Sequence, residues 1–211
     1  MNTLRFRPRA VAALLTTTSV LAFALAGCSG GSSPSNSSAS KEGASQGSAA
    51  PVPVESNPPG DIPDNLAFVE YNDSSGGYTF THPEGWAQTG TGTSVRFTDK
   101  LNGVAVESLE ASAAPTVAEA KADDVARLKS RVPAFKLVRV EKSDLPSGAG
   151  IHIVFRRNSD PDPVTGKVYR DEVEEYIAFA AGRLVRMDLY GPVGADNVDA
   201  YRTMSQSLRI R

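Results

Sequence analysis

Few side chains in this sequence combine the chemistry and the spacing to act together. One cysteine, Cys28, and two histidines, His82 and His152, are its only thiol and imidazole groups. A single thiol closes no disulfide within the chain and shares no metal with a second thiol. His82 stands beside Pro83 in a turn, and His152 lies mid-strand on the face opposite Ile151 and Ile153. Neither has a His, Cys or carboxylate at metal-ligand spacing along the chain, so each is expected to be a surface or hydrogen-bonded histidine. Serines are frequent, but no Gly-x-Ser-x-Gly elbow exists to activate one as a nucleophile. Asp160 and Asp162, in the polar run Asn158-Ser159-Asp160-Pro161-Asp162-Pro163-Val164-Thr165-Gly166-Lys167, offer oxygen ligands to Ca²⁺. That run lacks the fuller carboxylate set and the terminal Glu of a calcium loop. It is expected to be a proline-braced hairpin tip, serving contact with a partner rather than a metal. No catalytic residue, cofactor site or metal site emerges, and the expectation is a protein that is not an enzyme and needs no cofactor.

What remains is charge. Arg170-Asp171-Glu172-Val173-Glu174-Glu175 and Arg183-Leu184-Val185-Arg186-Met187-Asp188 alternate in sign along two neighbouring strands. The alternation is expected to set Glu172, Glu174, Arg186 and Asp188 on one face, with Arg156 near by. Two outcomes are open: cross-strand ion pairs on a solvated face, worth ~0.2–1 kcal/mol each, or a polar groove beneath a loop that recognises a charged ligand. Arg156, Asp160, Asp162, Glu174 and Arg186 are therefore the candidate partner contacts.

These residues are positioned by a domain whose dominant signal is alternation. Residues 66–71 and 78–81 predict two short strands joined at Ser74-Ser75-Gly76-Gly77. Residues 95–97 and 104–109 predict a second pair, turned by Lys100-Leu101-Asn102-Gly103. Thr116-Val117-Ala118-Glu119 fits a capping box that opens a helix. Ala118, Ala122, Val125, Leu128 and Val132 recur at helical spacing until Pro133 stops the run. Four more strands are predicted over 135–140, 151–156, 168–180 and 184–190, the last two joined at the turn signal Ala181-Gly182. Ile151, Ile153 and Phe155 share one face, as do Val173, Ile177 and Phe179, and Val185, Met187 and Leu189. A closing helix over 196–208 turns Val198, Tyr201, Met204 and Leu208 inward. Blocks of hairpin-linked strands separated by helices predict an α+β fold, a largely antiparallel sheet of about six to eight strands packed with helices.

The amino terminus differs in kind. Arg5, Arg7 and Arg9 precede an apolar stretch over 10–26, and Leu25-Ala26-Gly27-Cys28 follows. This order looks like a bacterial lipoprotein signal ending in its lipobox. The apolar stretch is shorter than the about 20 residues of a spanning helix. The resemblance implies a signal peptide over 1–27 and a mature chain that begins at lipid-modified Cys28. The next residues, 29–50, are almost wholly small and polar, and Pro51, Pro53, Pro58, Pro59 and Pro63 follow. Such a composition cannot bury enough apolar surface to offset chain entropy, so 28–61 is expected to be a lipidated tether and 62–211 the globular domain. The formal charge is −2, and loss of the three signal arginines lowers it to −5. A mildly acidic chain has no general attraction for nucleic acid.

Gly77-Tyr78-Thr79-Phe80-Thr81-His82-Pro83-Glu84-Gly85-Trp86 is similar to the Gly-aromatic-x-Phe-x-x-Pro-x-Gly-Trp segment near the start of PsbP/Mog1-like domains. Those domains include a photosystem oxygen-evolving subunit, a Ran-binding protein and bacterial lipoproteins of unassigned role. The resemblance covers about residues 64–211 and implies an α/β/α sandwich that acts by docking. Physically, Tyr78 and Phe80 point to one face of a strand, Pro83 ends the ladder, and Gly85 permits the turn that returns Trp86 over the core.

The expectation is thus a lipoprotein held by Cys28 at the outer face of the cytoplasmic membrane of a Gram-positive bacterium, GC-rich by composition. It would serve as a docking or assembly module for an envelope protein complex. The alternative is a carrier that presents a small ligand or lipid to a membrane transporter. A deep apolar cavity would favour the carrier; a filled core with an exposed apolar patch would favour docking.

Overall fold

Among the described residues ten strands hydrogen-bond into two separate sheets, because apolar residues at every second position give most strands a face to bury. The computed structural model describes residues 49–54 and 59–211. Cys28, the predicted signal and most of the predicted tether lie outside the described residues. The elements are β1 (Phe68–Asp73), β2 (Tyr78–Pro83), β3 (Ala87–Thr91), β4 (Ser94–Asp99) and β5 (Asn102–Glu110). A helical segment follows as α1 (Val117–Glu119), a π-helical turn (Ala120–Asp124) and α2 (Val125–Arg131). Then come β6 (Lys136–Leu145), β7 (Gly148–Asn158), β8 (Arg170–Ala180), β9 (Arg183–Pro192), α3 (Val198–Ser207) and β10 (Arg209–Ile210). Seven strands form one antiparallel sheet in the order β3-β4-β5-β9-β8-β7-β6, and β1-β2-β10 form the second. The fold is α+β and largely antiparallel, as expected. β3 and β10 were not legible as strands: β3 reads Ala-Gln-Thr-Gly-Thr and is exposed throughout, so it has no apolar row to announce it.

Both faces of the large sheet carry packed elements, one of them only over part of its width. Ala120 and Leu128 pack on one face against Ile151, Ile153 and Phe155 of β7 and Val173 and Ile177 of β8. On the other face, Tyr201 and Met204 of α3 join Tyr78 and Phe80 of the small sheet over Val104, Val106, Val185, Met187 and Leu189. Trp86 closes this second core, buried with Tyr78 and Phe80 as the Gly77–Trp86 segment led us to expect. His82 is buried there too, its Nδ1 2.9 Å from the Pro83 carbonyl and its ring stacked 3.6 Å from Phe97. Burial lowers its pKa, with the Pro83 carbonyl pulling the other way.

Local signals held at the caps and failed at helix phase. Thr116 caps α1, accepting from the Glu119 amide at 3.2 Å while the Glu119 carboxylate accepts from the Thr116 amide at 2.7 Å. The inward stripe, however, is Ala120, Asp124 and Leu128, whereas Ala118 and Ala122 are exposed. A π turn holds more residues than an α turn and rotates Ala118 and Ala122 out to solvent, while Leu128 and Val132 pack inward as expected. In α3, Tyr201 and Met204 point inward as expected, but Val198 is 60% exposed, at the first turn beyond the reach of the core.

One end of the large sheet receives the incoming chain. The Asn158 side chain donates to the Ala50 carbonyl (2.8 Å) and accepts from the Val52 amide (3.1 Å), while Arg170 orients it at 3.2 Å. Further along, Asn102 donates to the Gly60 carbonyl at 2.7 Å, and the buried Ile62 amide donates to Asn197 at 2.7 Å.

Candidate functional site

The helical segment covers β7 and β8 but leaves the same face of β9, β5 and β4 uncovered, and the charged residues of this face gather there. Directly opposed residues in an antiparallel ladder share a face. Arg96 of β4 opposes Ala105 of β5, Ala105 opposes Asp188 of β9, and Asp188 opposes Glu175 of β8. One step along, Glu107 opposes Arg186; one step the other way, Gly103 opposes Tyr190. Small residues on β5 therefore form the floor of a groove walled by charge. Its main cleft has a volume of about 310 Å³ and includes Arg96, Glu107, Arg127, Glu175, Arg186 and Asp188 in its lining.

The inner wall is an ion-pair network built on the π turn. Asp124, turned inward by that turn, meets Arg186 at 2.9 Å and Arg127 at 3.3 Å. Arg127 also reaches the Glu175 carboxylate at 2.5 Å, and Arg186 Nε lies 3.5 Å from the same oxygen. Glu175 is 1% exposed, and both its Oε2 and Asp188 Oδ1 are buried without a hydrogen-bond partner among the described residues. Burial, and next the facing Asp188 carboxylate, push the Glu175 carboxyl up to about 8 despite Arg127 and Arg186. Burial raises Asp188 as well, against the pull of Arg157, Arg127, Arg96 and Arg186. Two carboxylates raised by burial, one of them also by the other, beside a cleft set this face apart from a freely solvated one.

A second cleft of about 150 Å³ adjoins the first through Arg96. The Tyr190 ring carries the Arg157 guanidinium at 4.6 Å and that of Arg96 at 5.9 Å. Arg157 in turn lies 3.5 Å from Asp171, whose carboxyl is pushed up to about 6, by burial first, with Arg157 opposing. The loop between β7 and β8 forms the outer wall with Asp160 and Asp162. It is a braced tip: Asp162 Oδ1 accepts from the Val164 amide (3.1 Å), the Thr165 amide (2.8 Å) and the Thr165 hydroxyl (2.8 Å).

The expected grouping of Glu172, Glu174, Arg186 and Asp188 on one face is corrected by the strand register. Ala180 pairs with Arg183 across the two-residue turn, so Glu174 opposes Leu189 while Glu175 opposes Asp188. Of the candidate contacts, Arg186, Asp160 and Asp162 border the two clefts. Arg156 pairs with Glu172 at 2.9 Å on the other face of the sheet. Glu174 also lies on that face, 3.0 Å from His152 Nε2, and accepts from the Tyr176 hydroxyl at 2.8 Å. His152 stacks flat on Tyr176 at 4.3 Å, with Glu141 at 3.3 Å on its other nitrogen. Although burial works to raise the Glu174 carboxyl, His152 and Tyr176 hold it below its ordinary value. Sequence reasoning missed Glu175, Asp124, Arg127, Arg96 and Arg157. The two-residue Ala181-Gly182 turn was the available signal for Glu175, whereas nothing local marks Asp124 as inward.

No family model matches the chain, and no curated protein matches it. Among solved structures, it is similar to the solution structure of cyanobacterial PsbP (CyanoP) from Synechocystis sp. PCC 6803. The identity is 17% and the TM-score 0.47, covering 72% of this chain and 99% of that one. It is also similar to the Saccharomyces cerevisiae Ran-binding protein Mog1p, at 11% identity and TM-score 0.46, covering 69% and 96%. A protein of unknown function from Pseudomonas aeruginosa aligns at 12% identity and TM-score 0.44, covering 68% and 97%. These similarities concern the fold alone.

Proposed function

We propose that this protein is exported, lipid-anchored through Cys28 at the outer face of the cytoplasmic membrane, and docks onto an envelope protein through its charged groove. The observation that supports the docking surface is the uncovered half of the large sheet, where carboxylates and guanidiniums line adjoining clefts with hydrogen-bonding capacity unused. Among the large exposed apolar side chains of the described residues only Leu137 and Val138 share an element, so charge rather than an extended apolar patch is taken as the basis of recognition. The carrier reading is narrowed to polar cargo, because both clefts are lined by charged side chains and an acyl chain would leave them unpaired.

The test is crosslinking and recovery from intact membranes with the native lipidated protein, beside an Arg96→Glu/Arg186→Glu variant. Docking through the groove predicts one envelope protein whose recovery falls with added salt and is lost in the variant. Recovery of no protein, or of one indifferent to the charge reversal, sinks this reading.

A further inference from the structure

Two opposite charges on facing sides of the groove do not meet. Between them the floor is recessed, because Ala105 of β5 presents only a methyl group. On the β4 side stands Arg96, exposed and without a carboxylate at ion-pair distance among the described residues. On the β9 side stands Asp188, separated from Arg96 in the ladder by Ala105. The other arginines near Asp188 form ion pairs elsewhere, Arg127 and Arg186 with Asp124 and Glu175 and Arg157 with Asp171, although the Nε atoms of Arg157 and Arg186 also lack a hydrogen-bond partner among the described residues. Asp188, half-buried and with one buried oxygen unpartnered, thus lines the same cleft of about 310 Å³ as Arg96, whose guanidinium has no carboxylate partner among the described residues.

We infer that the groove binds a small zwitterion of the amino-acid class, its ammonium toward Asp188 and its carboxylate toward Arg96. A simple anion would be drawn to Arg96 but repelled by Glu107, Glu175 and Asp188, which line the same cleft. A simple cation would meet Arg96, Arg127 and Arg186. A neutral polyol would leave both charges facing dipoles only, whereas a zwitterion supplies a charge-assisted hydrogen bond at each end. The cleft suits a small molecule rather than a polymer segment, and the hydroxyls of Thr89 and Ser94 line its outer side. The ligand would lie on the floor of the face assigned to docking, but its binding does not require a docked partner.

The full-length lipidated protein in detergent is titrated with neutral L-amino acids at millimolar concentration, with thermal shift and calorimetry as readouts. Matched probes are the N-acetyl derivatives, which lack the ammonium, the amino-acid amides, which lack the carboxylate, and glucose. At least one free amino acid is expected to bind and raise the melting temperature, with each blocked form weaker by about tenfold to a hundredfold. Arg96→Gln, at an exposed site that leaves the fold intact, is expected to weaken binding by a similar factor, and Asp188→Asn likewise. Absence of binding by every free amino acid overturns the inference, as does equal binding of blocked forms or glucose, or an Arg96→Gln variant that binds as well as the parent. Membrane crosslinking of the same preparation separates the two readings: a partner captured by a protein that binds no amino acid leaves docking standing and removes only the ligand.

Discussion

Glu175 opposes Asp188 in the β8–β9 ladder, and its burial, and next that facing carboxylate, give the molecule a pH dependence that one substitution can isolate. The Glu175 carboxyl is pushed from 4.5 up to about 8, so across that range the folded protein holds a proton that the unfolded chain has released. Stability rises with pH only where the unfolded state binds more protons; here it binds fewer, so this group's contribution falls as pH rises from about 4.5 to 8. Buried His82, with its lowered pKa, acts in the opposite direction, because the unfolded chain protonates it more readily. The parent curve alone is therefore ambiguous, and the comparison is with Glu175→Gln. Urea unfolding across this range should show the parent losing stability relative to Glu175→Gln as the pH is raised. Parallel curves would mean that Glu175 is ionised throughout and that Arg127 and Arg186 already neutralise it.

At the level of elements, the groove exists because β5 is small where it faces β9. A Cβ on Gly103 would collide with the Tyr190 hydroxyl and ring, so glycine is what lets that ring lie across the strand beneath Arg157. Gly103→Ala is expected to cost about 1–3 kcal/mol, the usual range for overpacking, and to alter the near-ultraviolet circular dichroism by moving Tyr190. An unchanged melting temperature and spectrum would place Tyr190 elsewhere in solution. Much of this level was legible in the sequence. Alternation found the apolar rows of β7, β8 and β9, Ala181-Gly182 located their hairpin, and Thr116 with Glu119 located the helix start. The site was less legible, for two physical reasons. A sheet packed on both faces carries apolar rows on both, so the Val173 row and the Val185 row do not reveal that they lie on opposite sides. That parity decides whether Glu174 or Glu175 joins Arg186, and only the turn register settles it. Asp124 was hidden by the π turn, which redirects a residue type that ordinarily marks a solvated helix face.

For the whole molecule, the incoming chain meets the domain at the end that carries the second cleft. Ala50 and Val52 bind Asn158, where β7 ends, and Gly60 and Ile62 bind Asn102 and Asn197 beside the start of β5 and the end of β9. The loop bearing Asp160 and Asp162 leaves β7 immediately after Asn158. Under the proposed anchoring, the groove therefore lies near the point where the lipidated segment joins the domain, within reach of a membrane protein. The anchoring rests on Cys28 and is tested there. At ~0.8 kcal/mol per buried CH₂, two or three acyl chains hold a protein on a bilayer for long periods, whereas no described helix is long and apolar enough to cross a membrane. Expressed in a bacterium with lipoprotein-processing enzymes, the parent should fractionate with membranes, incorporate labelled fatty acid, and be released by detergent but not by salt. Cys28→Ser should incorporate no label and move to the soluble extracytoplasmic fraction, while its domain keeps the parent's melting temperature. A Cys28→Ser protein that stays membrane-bound through salt washing and retains residues 1–27 would instead be held by an uncleaved amino-terminal segment. The lipid anchor would then be wrong while the groove and its partner remained open to the tests above.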